Sequence, residues 1–284
     1  MLTQILTHPG GSHKDEFLAC CVLIAKHPVA IVRREPTPED LENPQVAVID
    51  VGHDHNPAKN NFDHHQFDRD ATPTCSLSLV LQHLKLYDEA RLFCDWLETA
   101  EWLDCRGPNN TAKELGVDRD IFSKLVSPID VTLLRRFAQA SEVKPGELLY
   151  EIMQIVGQDL LEYVEQMKAR LVFIEKHAQI WEVENRKFIF LPRTDPLPAE
   201  PSAGLGRYVF TKGLESEVIG MIYPDRRSEG YGLSRYDDSK ALDFTQIDSE
   251  TDVHFAHRAG FVAKTTATDK TRLKQLLAKA LVTS

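Results

Sequence analysis

The stretch LTQILTHPGGSHKDEFLACCVLIAK, residues 2–26, followed by VAIVRR at 29–34 and VAVIDVG at 46–52, decides the fold. LTQIL is a short apolar run that stops at Thr7-His8-Pro9-Gly10-Gly11, a cluster of turn formers. Phe17, Leu18, Val22 and Leu23 then recur at helical spacing. Asp15 and Glu16 sit in the first turn, where the helix dipole favours anions, and Lys26 closes the last. The two runs that follow are rich in Val and Ile, the composition of strands covered on both faces. Strand, helix, strand in this order predicts a parallel sheet with right-handed crossovers. Such sheets bind ligands at the carboxyl ends of their strands, and here those ends carry His8, Arg33, Arg34 and Asp50.

Outward from this core, 53–74 reads as a loop and 75–103 as helix, with Leu77, Val80, Leu81 and Leu84 and then Leu92, Phe93, Trp96 and Leu97 in helical register. Helix dominates to about residue 178, ending in a long connector, GELLYEIMQIVGQDLLEYVEQMKARLVFIEKHA. Composition then changes. IWEVENRKFIFLPR, RYVFTKG, EVIGMIYPD, GYGLSRYD and AGFVAKT have strand length and patterning, and an amphipathic helix spans 269–282. The expected architecture is α/β. It has an N-terminal doubly wound parallel-sheet domain with its helical connector (1–178, the connector at 119–178) and a smaller C-terminal α+β domain (179–284).

The chain has 284 residues, with 42% apolar and 27% charged residues, an ordinary globular profile. No run approaches the ~18 apolar residues of a membrane span, and MLTQILTHPGGSHKDE has no signal-peptide pattern, so a cytoplasmic protein is expected. Five cysteines without a C-x-x-C pair support neither a disulfide framework nor a zinc ribbon, and read as buried thiols. The net charge of −10 argues against a generic nucleic-acid binder, but it is uneven. Residues 253–284 hold six basic side chains against Asp269 alone, an end of the chain suited to an anion. No aromatic-interleaved basic stripe of the kind single-strand binders use stands out.

Seven of the 11 histidines lie within the first 65 residues, interleaved with Asp, as a multi-cation site requires. Three motifs carry them: His8-x4-His13-x-Asp15, Val48-Ile49-Asp50 and Phe62-Asp63-His64-His65-Gln66. In a doubly wound sheet the exits of the first and third strands and the loop beyond converge on one edge, so residues distant in sequence meet.

The motifs resemble the DHH phosphoesterase superfamily, and within it the melanocyte-proliferating-gene group, often labelled metal-dependent protein hydrolases. That group opens Thr-His-x-Gly-x-x-His-x-Asp-Glu, matched by Thr7, His8, Gly10, His13, Asp15 and Glu16. Val48, Asp50, Val51 and Gly52 match its Val-x-Asp-Val-Gly, and residues 62–66 its Phe-Asp-His-His-Gln. His257, Gly260, Phe261, Lys264 and Thr265 match its His-x-x-Gly-Phe and Lys-Thr. The chain departs at Ser12, where the group has an aromatic residue, and at Asp104-Cys105-Arg106-Gly107, where it has Asp-Asn-Gly.

The resemblance implies two Mn²⁺ ions, with Mg²⁺ as the alternative. His8, His13 and Asp50 would hold one, and Asp15, Asp50, His64 and Asp104 the other, with Glu101 as the alternative to Asp104. Asp63 is expected to orient a histidine, and His65 to meet the scissile phosphate or protonate the leaving group. His53 and His55 read as spare ligands or solvated loop residues. Arg34 is a candidate for a substrate phosphate. Arg235, His254, His257, Gly260 and Lys264 are candidates for binding the phosphates or 3′ end of a substrate. The expected activity is a manganese-dependent phosphodiesterase, a 3′-5′ exonuclease on short RNA or single-stranded nucleic acid. Hydrolysis of a small phosphate such as pyrophosphate or a nucleotide, and metal binding without turnover, stay open beside it.

Overall fold

Strand β1 (Gln4–Thr7) lies between two parallel neighbours, β2 (Ile31–Arg33) and β3 (Val46–Ile49), as the opening sequence predicts. The computed structural model describes residues 1–68 and 70–282, and the chain divides into two units, Met1–Glu165 and Gln166–Ser284. In the first unit, α1 (Lys14–Lys26) connects β1 to β2, and the short α2 (Pro38–Glu42), capped by the Thr37 hydroxyl, connects β2 to β3. Within the segment read as a loop, two short strands form, β4 (His55–Asn56) and β5 (Asn61–Phe62). β5 adds to β3 in parallel and β4 closes that edge antiparallel.

The helices that follow are α3 (Ser76–His83), α4 (Tyr87–Phe93), α5 (Asp95–Leu115), α6 (Asp120–Lys124) and α7 (Pro128–Gln139). The expected continuous helix over 75–103 is thus broken, with Lys85 at φ 58° between α3 and α4. α5 itself turns sharply at Gly107 (φ 71°) before Pro108, which cannot continue a hydrogen-bond ladder. The connector region also contains a strand that helical periodicity concealed. β6 (Glu142–Val143) pairs antiparallel with β2 and completes the order β4-β5-β3-β1-β2-β6.

Every residue of β3 is buried, and α1 is buried over most of its surface because it packs on the sheet and on α3, α5 and α7. A further helix, α8 (Leu148–His177), runs from the first unit into the second. Its Gly157 lies so close to α1 that a Cβ there would fall 1.9 Å from the Cys21 carbonyl oxygen. A mid-helix glycine costs ~1 kcal/mol relative to alanine, and here it admits backbone-to-backbone packing.

The second unit is a sheet of order β11-β12-β10-β9-β8-β7. β7 (Gln179–Val183) and β8 (Arg186–Phe190) form a hairpin. β8 and β9 (Val218–Pro224) are the parallel pair of this sheet, and their crossover contains α9 (Leu205–Thr211). This corrects the reading of RYVFTKG as a strand. Its Val and aromatic residues favour strand locally, but Leu205 and Val209, one helical turn apart, bury against Ile189, Leu191 and Val218. Tertiary packing overrides the local preference. β10 (Tyr231–Arg235), β11 (Val253–Ala256) and β12 (Val262–Thr265) are antiparallel, and α10 (Lys270–Ala280) buries Leu273, Leu276 and Leu277 against the other face.

The basic C-terminal stretch is largely spent inside this unit. Arg272 pairs with Asp252 and Glu250, Lys279 with Glu250, and Lys264 with Asp225 at 2.8 Å, while Lys270 and Lys274 lie over the rings of Phe190 and Trp181. The expectation of an anion-facing end fails because the acids 225, 250 and 252, upstream in sequence, fold against it. Among the described residues no helix is long and apolar enough to cross a membrane.

Candidate metal centre

Thr7 and Ile49 are register partners, so β1 and β3 end side by side and release His8 and Asp50 at one edge. Asp50 takes φ 58°, a left-handed conformation that Asp tolerates better than most residues and that costs ~1–3 kcal/mol. Its N–H donates to the Phe62 carbonyl at 3.1 Å, which seats the Asp63-His64-His65 segment against the same edge.

The two carboxylate oxygens of Asp50 face different imidazoles. Oδ2 lies 3.6 Å from His8 Nε2, whereas Oδ1 lies 3.0 Å from His64 Nε2 and 3.8 Å from His65 Nδ1. His64 Nε2 is also 2.9 Å from Asp104 Oδ2, delivered from α5. His13 Nδ1 stands 3.7 Å from the other Asp104 oxygen, its ring largely exposed. Asp15 is buried at the start of α1, with Oδ2 accepting the Ser76 hydroxyl at 2.7 Å. His8, His13, Asp15, Asp50, His64 and Asp104 are therefore brought to one end of the first sheet.

Glu101 is not among them. Its carboxylate accepts Ser78 Oγ at 2.6 Å and Tyr87 OH at 2.7 Å, with Arg91 at 3.8 Å, a closed structural network. Sequence reasoning passed over Glu16, which is fully buried. It accepts the His13 N–H at 2.8 Å on both oxygens and lies 3.5 Å from His8 Nε2. The signal was its place three residues after the helix N-cap, the reciprocal position of a capping box.

The electrostatics ask for a cation. Four carboxylates, Asp15, Glu16, Asp50 and Asp104, gather with no Lys or Arg ion-paired to any of them among the described residues. Burial, and after it the charges of Asp50 and Asp104, push the Asp15 carboxyl well above the usual carboxylate range. Burial does the same to Asp50, against the opposing pull of His64. Burial draws His64 down, but the Asp104 and Asp50 oxygens outweigh it and push the imidazole up to about 12. His8 rises to about 9, chiefly through Glu16.

Asp15 Oδ1, Asp50 Oδ1, His64 Nε2 and Asp104 Oδ2 are all buried without a hydrogen-bond partner of acceptable geometry. The short His64 contacts are close in distance but poorly directed. An imidazole nitrogen about 3 Å from two carboxylate oxygens needs a proton or a cation between them. Buried orphan donors of this kind are rare in folded proteins. Oxygen-rich sets with some imidazole suit hard divalent ions such as Mn²⁺ or Mg²⁺, so the residues present fit a divalent metal.

Around this cluster, Asp63 fixes the second histidine. Its Oδ1 accepts His65 Nδ1–H at 2.7 Å and the His65 N–H at 3.0 Å, and its Oδ2 accepts the His53 N–H at 2.7 Å. Against the upward push of burial, these bonds hold its carboxyl below the usual range. His65 is half exposed and lines a cavity of about 490 Å³ with His8, His13, Asp50 and His53. The His53 ring lies 6.1 Å from His65, while His55 packs near Phe62 and Phe67.

Arg34 turns to Asp40 in a two-pronged pair at 2.7 and 3.0 Å, so its guanidinium is already engaged by a carboxylate. The preceding arginine does what sequence reasoning missed. Arg33 is buried over the Phe137 ring and donates to Phe137 O at 2.7 Å, Gly11 O at 2.9 Å and Gly10 O at 3.3 Å, pinning the loop between His8 and His13. Strand alternation was the available signal, since Arg33 shares a face with buried Ile31. Cys105, read as buried, is exposed, whereas Cys20, Cys21, Cys75 and Cys94 are buried. Its sulfur lies 3.9 Å from His64 Nδ1 because Asp104, one residue earlier, must face the cluster.

The second-unit candidates fall into three places. Arg235 donates Nε–H to Leu242 O at 2.7 Å and pairs with Asp238, and Gly260 lies against it. Lys264 and His254 line a different cavity with Asp225. His257 stands at the turn after β11, its Nδ1 accepting the Ala259 N–H at 3.1 Å.

Residues 4–85 match the MYG1 exonuclease family model, described as "Uncharacterised protein family (UPF0160)". A 65-residue stretch, 22% of this chain, is 40% identical to MYG1 exonuclease of Mus musculus and spans 17% of that relative's length. Among solved structures, a pGpG-specific phosphodiesterase, PggH from Vibrio cholerae, aligns over 98% of this chain and 97% of its own, at 15% identity and TM-score 0.34. RecJ from Thermus thermophilus in complex with Mn²⁺ aligns over 98% and 51%, at 12% identity and TM-score 0.30. The N-terminal segment is MYG1-like and keeps the DHH triplet intact. The matched residues contain His8, His13, Asp15, Asp50, Asp63, His64 and His65, but neither Asp104 nor any residue of the second unit.

Proposed function

We propose that the protein is a divalent-metal-dependent phosphodiesterase acting as a 3′-5′ exonuclease on short RNA or single-stranded nucleic acid. The observation that carries the reading is the buried quartet Asp15 Oδ1, Asp50 Oδ1, His64 Nε2 and Asp104 Oδ2, each lacking a properly directed partner and, among the described residues, without a Lys or Arg beside it. His8, His13 and Asp50 would hold one ion and Asp15, Asp50, His64 and Asp104 the other. Asp50 would be shared, in keeping with the opposite directions of its two oxygens. Mn²⁺ or Mg²⁺ bound there supplies Lewis-acid stabilisation of charge developing on phosphoryl oxygens.

The chain's own groups do the rest. Asp63 accepts the Nδ1–H of His65, so Nε2 is the position that exchanges a proton. It takes one from solvent, the resulting imidazolium being offset by the Asp63 carboxylate, and gives it to the leaving oxygen, while the attacking water forms the new P–O bond and releases its proton to solvent. Because His65 is half exposed, that nitrogen meets substrate and bulk water alike. Arg33 keeps the backbone between His8 and His13 in one conformation, so the imidazoles meet a substrate already placed. In the second unit, His257 and Lys264 are proposed to hold the 3′ end or phosphates, with Arg235, His254 and Gly260 beside them. Lys264 already carries one carboxylate partner, so the grip suits short rather than long substrates.

The test is purified protein with Mn²⁺ against end-labelled RNA, DNA, dinucleotides and pyrophosphate, with products resolved by size. Stepwise loss of single nucleotides from the 3′ end of RNA is the expected result. Release of orthophosphate from pyrophosphate alone would replace the reading by the small-phosphate one, and no turnover by metal binding without catalysis.

A further inference from the structure

We infer that the turn joining β11 to β12 is a stacking platform for an unpaired nucleobase, formed by Phe255, His257 and Phe261. The inference rests on the phosphodiesterase reading for its choice of nucleic acid as ligand. In linear order His257 and Phe261 stand out as part of the His-x-x-Gly-Phe motif, whereas Phe255 does not. Folded, the three rings adjoin. Phe255 and His257 have centroids 6.4 Å apart in an edge arrangement, and His257 and Phe261 lie 4.2 Å apart, tilted by 43°.

Phe255 and Phe261 are 43% and 41% exposed, whereas Phe188, Phe190 and Phe244 of the same unit are almost completely buried. This unit can therefore bury phenylalanine, yet it leaves these two, and Phe210 elsewhere at 51%, outside its core; what sets Phe255 and Phe261 apart is that both adjoin His257.

The turn is built to hold the rings still. Gly260 takes φ +70°, and a Cβ there would fall 2.2 Å from Asp243 Oδ1, so no other residue fits without displacing that side chain. Its N–H donates to His257 O at 2.8 Å. The Ala259 N–H donates to His257 Nδ1 at 3.1 Å, which requires Nδ1 to be the acceptor and leaves the neutral imidazole with its hydrogen on Nε2. The platform thus offers apolar faces with one fixed donor among them, at little ordering cost on binding.

Charge completes the match. Phe261 lines a cavity of about 500 Å³ with Arg235 and Lys240, both ion-paired to Asp238, which lines it too. Phe255 lines another of about 600 Å³ with Arg227, His254 and the Lys264–Asp225 pair. Exposed Arg258 occupies the turn itself. Aromatic rings flanked by cations are the composition of single-strand sites, where bases stack and phosphates meet positive charge. Arg227 and Arg258 carry no ion pair among the described residues, a positive charge from which an apolar protein partner gains nothing, so the nucleobase is the occupant the surroundings favour.

The experiment uses the full chain in EDTA, where a metal-dependent nuclease leaves its ligand intact. Single-stranded trinucleotides carrying 2-aminopurine at each position in turn, and abasic counterparts with the same phosphates, are titrated by fluorescence. One position is expected to be quenched, and its abasic counterpart to bind about 5- to 150-fold more weakly, the worth of one stacked base. Phe255→Ala and Phe261→Ala should weaken the intact ligand within that range and leave the abasic one unchanged. Phe261→Trp should restore binding, and the salt dependence should not move because no charge is removed. Absence of binding or quenching, or undiminished binding by both alanine variants, overturns the platform. So does a change in sedimentation coefficient in place of a change in affinity, which would make the rings a contact between protein chains. Mn²⁺-dependent cleavage of the abasic trinucleotide keeps the two readings apart. Cleavage with failed stacking removes only the platform, and stacking without cleavage removes only the phosphodiesterase.

Discussion

Asp15→Asn should make the metal-free protein more stable and the metal-loaded protein less so, reversing the order of melting temperatures on addition of Mn²⁺. Among the described residues Asp15 is the acid of the cluster that forms no ion pair with a cation or an imidazole, and Ser76 Oγ–H donates to its Oδ2. Asparagine retains an oxygen to accept that bond, nearly the same shape, and no charge. What it removes is repulsion. Asp15 and Asp50 each place a carboxylate oxygen within 4.8 Å of the other in a buried group. At an effective dielectric of ~20 two unit charges at that distance repel by about 3 kcal/mol. Partial protonation of Asp15, favoured by its raised pKa, already relieves part of this. A gain of about 1–2 kcal/mol is therefore expected, or roughly 2–8 °C in Tm for a chain of this size.

With Mn²⁺ at about 100 times its dissociation constant, wild type should gain about 2.7 kcal/mol by mass action, and Asp15→Asn little, having lost a ligand. Differential scanning calorimetry in EDTA and in Mn²⁺ reads both effects. The linkage sign adds a control. A carboxyl whose pKa is raised on folding destabilises the native state in full above its folded value, and that penalty shrinks as pH falls through the folded value and is gone below the unfolded one, ~3.9. The advantage of the variant in EDTA should thus be largest at neutral pH and shrink on acidification. A variant less stable than wild type in EDTA, or one that gains as much from Mn²⁺, would refute the view that these acids are held together for a cation.

His64→Ala should lower metal occupancy measured by elemental analysis, whereas His65→Ala should leave the metals bound and reduce kcat by roughly 10²- to 10⁴-fold, the range for losing an acid–base group. Equal metal loss in both would make both imidazoles ligands. Arg33→Lys keeps the charge but loses the fork that reaches Phe137 O, Gly10 O and Gly11 O. It should cost about 2–4 kcal/mol in urea unfolding and weaken Mn²⁺ affinity through His13, while an unchanged midpoint would remove Arg33 from its positioning role. Gly157→Ala should destabilise the first unit by about 3 kcal/mol despite alanine's better helix propensity, because the colliding Cys21 carbonyl is backbone in a buried helix and cannot step aside. A stabilised variant would show that α1 and α8 can separate at no cost.

The parallel sheet and the meeting of its strand ends were legible because they depend on local signals that agree. Apolar runs mark β1, β2 and β3, and Gly-Pro turns and acidic first-turn residues mark where each run stops. The His8, Asp50 and Asp63-His64-His65 motifs sit at those stops, so topology alone brings them together. What sequence concealed was decided by partners remote along the chain. Arg33 and Arg34 are neighbours of one type, yet one is drawn inward by the carbonyl of Phe137, 104 residues away, and the other is captured by Asp40. RYVFTKG is helical because β8 and β9 run parallel and require a crossover, a fact of pairing that no window of seven residues contains. The basic tail lost its free charge to Asp225, Glu250 and Asp252 for the same reason. The aromatic rings of the β11–β12 turn show the converse. Phe255 and Phe261 are six residues apart, and a strand end, a bulge and one left-handed glycine bring them to either side of His257. Groups fixed by strand ends are thus readable from motif order. Groups gathered by side-chain pairing or by a turn emerge only when the chain is folded, and it is among these that the determinants of substrate choice are expected to lie.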